Sequence, residues 1–165
     1  MGVPGMDLAA LVADATSAGL SVSTAESLTG GMLAAAIVEI PGASGMFNGG
    51  VIAYQNSVKI TALGVPEELL AETGAVNAQV ACAMALGACR ATGSRVGLST
   101  TGVAGPDPHQ GKEVGHVYLG VAFDGAAQAY EYHFGGDRAM IRQQATDEAL
   151  ALLQQVVNAA REQKL

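Results

Sequence analysis

The chain has no tryptophan, few positive charges and no long apolar segment. Only 8 of its 165 residues are lysine or arginine, against 15 aspartates and glutamates, which gives a net charge of −7. A nucleic-acid-binding protein would present a basic surface, so we expect no nucleic-acid partner. The longest uncharged apolar helix, around residues 80–89, is far shorter than the roughly 20 residues that span a bilayer, so we also expect no membrane partner.

Cysteine is scarce as well. Cys82 and Cys89 lie on one predicted helix, roughly 10 Å apart along its axis, which is too far for a disulfide bond. Neither belongs to a CxxC motif. Reduced cysteines, together with the lack of a secretory signal at residues 1–11, predict a cytoplasmic protein.

Cofactor motifs are missing. His109, His116 and His133 are scattered along the chain without metal-ligand spacing. The glycine-rich stretches match neither the nucleotide-binding loop that ends in Gly-Lys-Ser/Thr nor the GxGxxG dinucleotide fingerprint. We therefore predict no metal and no other cofactor.

The chain is rich in hydrophobic residues, at 50%, and in glycine, with 22 residues. This composition is that of a folded protein with a large core, and the length suits one domain. Apolar periodicity predicts helices at residues 7–18, 29–39, 56–63, 66–74, 77–92 and 137–161, and strands at residues 21–25, 47–54, 96–101, 114–123 and 127–134. Helices that alternate with strands predict a single-domain α/β fold over residues 1–165, a three-layer α/β/α sandwich with a mixed sheet.

Residues 24–31 read T-A-E-S-L-T-G-G and stand between the first predicted strand and the second predicted helix. The free N–H groups of a helix N-terminus favour a developing negative charge, so a hydroxyl there, from Ser27 or Thr29, is a candidate nucleophile. Gly30 and Gly31 leave the first turn bare enough for a substrate to approach closely. The alternative is structural, because helices commonly begin with a serine or threonine that caps them.

A second glycine-rich segment, S-T-T-G-V-A-G-P at residues 99–106, also follows a predicted strand. Loops at the carboxyl ends of strands are where open α/β sheets bind ligands. Thr100 and Thr101 offer hydroxyls, while Gly102 and Gly105 permit a turn that presents several N–H groups. A purely structural turn explains the glycines equally well.

Tyr54 and Lys59 follow the second predicted strand. Val58 and Ile60 flank the lysine, and partial desolvation between them would lower its pKa and make it usable as a general base. The alternative is a surface lysine whose stem packs on apolar neighbours while its ammonium stays in water.

Two arginines begin the last predicted helix. Arg138 and Arg142 are four residues apart, so they share a helix face that suits a phosphate or a carboxylate. They are equally explained as ordinary solvated helix charges.

Three segments carry a family resemblance: A-E-S-x-T-G-G at residues 25–31, P-G-A-S-x-x-F-x-G-G-V-x-A-Y-x-N-x-x-K at residues 41–59, and T-G-V-A-G-P at residues 101–106. In this order and spacing the chain resembles the CinA C-terminal domain family from Leu20 to about Leu153. That family includes the nicotinamide-nucleotide amidohydrolases, or NMN deamidases.

The resemblance implies hydrolysis of the carboxamide of nicotinamide mononucleotide to nicotinate mononucleotide and ammonia. Ser27 matches the family's serine nucleophile and Lys59 its lysine partner. Tyr54 and Thr101 match further positions that the resemblance implies are catalytic, and Arg142 matches one that it implies binds the substrate. In the implied reaction neutral Lys59 takes the proton of Ser27 as the hydroxyl attacks the amide carbon.

The remaining site residues are assigned to binding. Backbone N–H groups at the start of the Thr29 helix, or the Thr101 hydroxyl, would hold the oxyanion. Thr29, Gly30 and Gly31 are assigned to substrate binding. Arg142 and the loop of Gly102, Ala104 and Gly105 are our choice for the 5′-phosphate, and Glu26 for the cationic pyridinium ring.

The sequence leaves two competing functions open, a non-catalytic CinA-like binding module and an amidase for another small carboxamide. It departs from the family pattern at Leu28, where cysteine is common, and in the loop D-P-H-Q-G-K-E-V-G at residues 107–115, where Glu113 replaces a proline. The resemblance implies the stand-alone deamidase form. A hydrophobic chain with few surface charges favours a homodimer.

Overall fold

Five strands form a single mixed sheet in this computed structural model, which describes residues 5–163. The strands are β1 (Val22–Glu26), β2 (Phe47–Ile52), β3 (Val96–Gly102), β4 (His116–Phe123) and β5 (Ala126–His133). Their order in the sheet is β2-β1-β3-β4-β5. β1 runs parallel to β2 and β3, whereas β4 is antiparallel to both β3 and β5.

Helices cover both faces of this sheet. They are α1 (Leu8–Ser17), α2 (Met32–Val38), α3 (Asn56–Leu63), α4 (Glu67–Thr73), α5 (Ala78–Thr92) and α6 (Arg138–Gln163). One buried apolar cluster joins the sheet to α1, α2 and α6, and a second joins it to α3, α4 and α5. The predicted three-layer α/β/α sandwich with a mixed sheet is therefore confirmed.

Most predicted helices and strands begin and end within a few residues of the observed ones. The difference that matters for the candidate site is the first residue of α2. The sequence predicts this helix from residue 29, but it begins at Met32. Gly30 and Gly31 adopt φ angles of 56° and 106°, so the chain turns there before the helix starts.

The Gly49-Gly50 pair produces both a bulge and a close backbone approach between β1 and β2. Val22 pairs with Phe47 but Ser23 pairs with Gly49, so β2 carries one extra residue at this point. A Cβ at Gly50 would run into the Thr24 hydroxyl of the neighbouring strand. The glycine therefore lets β1 and β2 pair closely.

Within residues 5–163, none of the helices has both the length and the apolar character that crossing a membrane requires. Cys82 and Cys89 are free thiols, as predicted, but each is partly exposed rather than fully in the core.

Candidate active site

Three parallel strands end at the same edge of the sheet, and each delivers a segment of the candidate site. Ser27 follows β1 directly, Ala53 and Tyr54 follow β2, and Gly102 is the last residue of β3. The carboxyl edge of parallel strands is where α/β sheets bind ligands. The chain thus brings together three segments that are far apart in sequence.

Ser27 and Lys59 meet at this edge. Lys59 Nζ lies 3.0 Å from Ser27 Oγ, within hydrogen-bond distance. The lysine is 1% exposed and the serine 8% exposed, so the pair is shielded from bulk water. Lys59 is therefore not the surface lysine that the sequence left as an alternative.

The surroundings of Lys59 fix the direction of its amine. Nζ donates to the carbonyl oxygen of Ala53 at 2.8 Å and to that of Tyr54 at 3.0 Å. Burial lowers the pKa of Lys59 to about 8. A neutral amine keeps two N–H groups for these two carbonyls, which leaves its lone pair directed at the Ser27 hydroxyl.

The backbone around Ser27 is held by the neighbouring strand and by a tight turn. Ser27 N donates to the carbonyl of Thr100 at 3.0 Å and approaches the Thr100 hydroxyl at 3.2 Å. Gly30 N donates to Ser27 O at 3.1 Å. The helix cap of α2 is Gly31, without a side-chain cap bond, so neither Ser27 nor Thr29 caps the helix.

Glu26 performs the capping instead. Its carboxylate accepts from the backbone N–H groups of Gly31, Leu33 and Ala34 at 2.9–3.2 Å, and from the Thr29 hydroxyl at 2.7 Å. The residue is 1% exposed and lies behind Ser27, outside the cavity wall. A carboxylate already used by the helix is not free for a pyridinium ring, so the predicted role of Glu26 in substrate binding is wrong.

The same contacts correct the predicted oxyanion site. The N–H groups of the first turn of α2 point at Glu26, so they do not face the Ser27 hydroxyl. Thr29 is fully buried, and its hydroxyl also contacts that of Thr100 at 2.8 Å. Thr29, Gly30 and Gly31 lie outside the cavity wall and shape the turn behind it.

A cavity of about 510 Å³ opens in front of Ser27 and Lys59. Tyr54 lines one side of it with a half-exposed ring. The opposite wall comes from the end of β3 and the segment that follows it, where Thr101, Gly102, Ala104 and Gly105 line the cavity. Pro106 and residues 107–110 of the altered loop continue this wall. The Thr101 hydroxyl donates to Ala75 O at 2.8 Å, which ties this wall to the loop before α5.

The two arginines at the start of α6 have different positions. Arg138 lines the cavity, where its guanidinium donates to Gly105 O at 2.6 Å and to the Tyr54 phenol at 3.3 Å. Arg142 lies outside the cavity wall and donates to the carbonyls of Leu28 and Thr29 at 2.8 and 3.3 Å. The sequence-based prediction placed Arg142 at the phosphate. In the structure Arg138, one helical turn earlier, lines the cavity, whereas Arg142 contacts the turn that follows Ser27.

Fold and site define the class of protein, a three-layer α/β domain with a buried serine–lysine pair at the carboxyl edge of its sheet. The family model of the CinA C-terminal domain matches residues 7–157. The chain therefore belongs to the CinA C-terminal domain family.

Relatives and solved structures agree with this assignment. A CinA-like protein of Geotalea uraniireducens is 48% identical over 125 residues, which are 75% of this chain and 30% of that protein. One from Dictyoglomus turgidum is 46% identical over 136 residues, 82% of this chain and 33% of that protein. The chain thus spans about a third of the length of these curated relatives.

Two crystal structures illustrate the shared fold. The competence/damage inducible protein CihA of Agrobacterium tumefaciens superposes with a TM-score of 0.86 at 37% identity, covering 96% of this chain and 99% of that one. A CinA superfamily protein of Klebsiella pneumoniae 700603 gives a TM-score of 0.88 at 27% identity, covering 93% and 99%.

Proposed function

We propose that this chain is an amidohydrolase that converts nicotinamide mononucleotide to nicotinate mononucleotide and ammonia. The observation that carries the proposal is the buried contact of Lys59 Nζ with Ser27 Oγ at 3.0 Å, with a lysine pKa lowered to about 8. A lysine with that pKa is partly neutral near physiological pH, so it is able to accept a proton.

In the first half of the reaction Ser27 Oγ attacks the carboxamide carbon and passes its proton to Lys59 Nζ. The carbonyls of Ala53 and Tyr54 accept from the resulting ammonium, as they do in the resting pair. Lys59 then protonates the departing nitrogen, which leaves as ammonia. The electron-withdrawing pyridinium ring of the substrate makes the amide carbon more reactive.

In the second half a water molecule attacks the acyl group on Ser27. Lys59 takes one proton of that water and passes it to Ser27 Oγ as the bond between Oγ and the acyl carbon breaks, and the released acid loses its remaining proton to the solvent. For the oxyanion we propose the backbone N–H of Leu28, because this residue follows Ser27 and lines the cavity.

The cavity supports a nucleotide-sized substrate. A volume of about 510 Å³ lies within the range of pockets that enclose small molecules. Arg138 gives the cavity a cationic side chain for the 5′-phosphate, next to the glycine-rich segment after β3. Tyr54 stands between Arg138 and the catalytic pair, in a position to contact the ribose or the ring.

The direct test is release of ammonia from nicotinamide mononucleotide by the purified chain, with nicotinamide riboside and simple carboxamides in parallel. We expect Ser27→Ala and Lys59→Ala each to lower kcat at least about 1,000-fold, and the double variant to be hardly worse, because the two residues act as a unit. Ser57→Ala, an exposed serine on α3, is the matched control and is expected to retain full activity.

The other outcomes distinguish the competing functions. Binding of the nucleotide without ammonia release would indicate a non-catalytic module. Turnover of another carboxamide in preference to the nucleotide would indicate a different amidase. Full activity of Ser27→Ala would remove the nucleophile from the mechanism.

Two expectations about the whole protein are part of the same proposal. We propose that the chain acts as a homodimer and in the cytoplasm, where pyridine nucleotides are salvaged. Sedimentation equilibrium of the purified chain measures the first, and a mass equal to one chain at micromolar concentration would contradict it.

A further inference from the structure

A second cluster of reactive side chains lies on the β4–β5 hairpin. His116 stands directly opposite His133, and Tyr118 stands opposite Glu131. These four residues alternate with core residues along their strands, so their side chains share one face of the hairpin. Gly120, on the same face of β4, packs against the backbone of α5, which identifies the face as the one that α5 covers.

The side chains of this cluster are already in contact. The ring nitrogen Nε2 of His116 lies 2.8 Å from Oε2 of Glu131. The rings of His116 and His133 stack with their centroids 4.5 Å apart at an angle of 26°. One ligand atom from each of His116, Glu131 and His133 can be chosen so that all three lie within 4.8 Å of one another.

Two imidazoles and one carboxylate are a donor set that suits Zn²⁺, which is commonly bound by three protein ligands and a water molecule. In a tetrahedral site with bonds of about 2.0–2.1 Å, ligand atoms are about 3.3 Å apart. His116 is 9% exposed, whereas Glu131 and His133, which both contact it or its neighbour Tyr118, are exposed. Small rotations of the Glu131 and His133 side chains would shorten the distances between the ligand atoms from at most 4.8 Å to those of a zinc site.

Tyr118 orients the carboxylate of Glu131. Its phenol donates to Oε2 of Glu131 at 2.6 Å. This hydrogen bond and the one with His116 hold the carboxylate beside the histidine rings. A hydrogen bond to a ligating carboxylate orients it and strengthens metal binding.

The cluster lies outside the Ser27–Lys59 pair but borders the cavity wall through the backbone. His116 O accepts from Val103 N at 3.0 Å, and Val103 O accepts from Gly115 N at 2.8 Å. Val103 is one of the residues that line the cavity. An ion that joins His116 to His133 would tie the ends of β4 and β5 together next to this wall.

We propose that His116, Glu131 and His133 form a zinc site on the β4–β5 hairpin, separate from the catalytic pair. Spacing along the sequence predicts no metal here, because 17 positions separate the two histidines and only the hairpin register places them opposite each other. The site fixes the open end of the hairpin and plays no part in the proton transfer between Lys59 and Ser27.

The test is calorimetric titration of the full chain with ZnCl₂ in a buffer without phosphate. We expect one equivalent of Zn²⁺ to bind, and His133→Ala and Glu131→Gln to weaken binding at least about 10-fold each. Both residues are exposed, so these changes spare the core. His109→Ala, which removes the remaining histidine, is the matched control and is expected to bind like the wild type.

A second measurement avoids variants altogether. In the wild-type chain, Zn²⁺ should shift the imidazole NMR signals of His116 and His133 and leave those of His109 unchanged, while Mg²⁺, which prefers oxygen ligands, should shift none. The proposal is overturned if the wild type binds no zinc, if both cluster variants bind it as tightly as the wild type, or if His109→Ala loses it.

Discussion

Lys59 has an ionisable amine that is buried in the protein, and its hydrogen-bond partners explain why this burial is tolerated. Three acceptors surround Nζ, namely Ser27 Oγ and the carbonyls of Ala53 and Tyr54. These contacts satisfy the buried ammonium, while burial lowers its pKa to about 8. The same residue is thus stable as a cation and accessible as a neutral base.

This balance predicts the pH dependence of the proposed activity. Below pH 8 Lys59 is mainly protonated and has no lone pair for the Ser27 proton, so kcat/KM should fall about tenfold per pH unit as the solution is acidified. Above pH 8 the amine is neutral and kcat/KM should level off. Initial rates of ammonia release between pH 6 and about 10 measure this, and a profile that is flat across pH 7 to 9 would show that Lys59 is not the base.

The segment that joins β1 to α2 depends on a carboxylate that the sequence placed in the substrate site. Glu26 accepts three backbone N–H groups of the first turn of α2 and the Thr29 hydroxyl. A negative charge at a helix N-terminus is favourable, and here it also holds the turn that carries Ser27. Contacts with the ring of the proposed substrate are therefore expected from other residues.

Glu26→Gln should therefore destabilise the fold by roughly 1–3 kcal/mol, because the amide has one acceptor fewer and no charge for these buried donors. Urea unfolding measures the change. Glu39→Gln is the matched control, since Glu39 is an exposed carboxylate at the other end of α2 and its loss should change stability little. Equal effects of the two substitutions would contradict the capping role.

The start of α6 places two arginines in different surroundings, Arg138 at the cavity and Arg142 at the turn after Ser27. Arg138→Ala should raise KM for nicotinamide mononucleotide about 10- to 100-fold, since a hydrogen bond between charged groups contributes roughly 1.5–3 kcal/mol. It should change KM for the riboside little, because the riboside has no phosphate. Arg142→Ala should instead lower kcat for both substrates, because Arg142 holds the carbonyls of Leu28 and Thr29 next to Ser27, the proposed nucleophile. Steady-state kinetics with both substrates would refute this assignment if Arg138→Ala impaired them equally.

The order of elements and the pairing of Ser27 with Lys59 could be predicted from the sequence. The periodicity located the strands, and the family motifs at residues 25–31 and 41–59 indicated which residues follow them. The position of Glu26 could not be predicted, because it depends on how the chain turns at Gly30 and Gly31. The positions of Arg138 and Arg142 could not be predicted either, because they depend on which turn of α6 reaches the cavity. The contact of His116 with His133 depends on a hairpin register that spacing alone does not reveal.

The protein as a whole has to tolerate a buried lysine, and this has a thermodynamic consequence. At about 1.4 kcal/mol for each tenfold change in proton affinity, lowering the pKa from 10.5 to about 8 corresponds to roughly 3 kcal/mol. Below pH 8 both the folded and the unfolded chain keep the lysine protonated, so the folded state bears this entire cost. Between pH 8 and 10.5 the unfolded chain binds more protons than the folded one, and stability rises with pH.

Comparison of the wild type with Lys59→Met isolates this effect, because methionine has a similar length and does not titrate. The free energy of unfolding of the wild type, minus that of the variant, should be constant from pH 6 to 7 and should then increase by up to about 3 kcal/mol as the pH approaches 10.5. The sign holds whichever protein is more stable at pH 7, since the hydrogen bonds lost in the variant shift the difference by a constant amount. Urea unfolding at each pH measures it. A difference that stays constant up to pH 10 would mean that the amine has the same pKa in the folded and unfolded chains, and Lys59 would then lack the neutral form that the proposed mechanism requires.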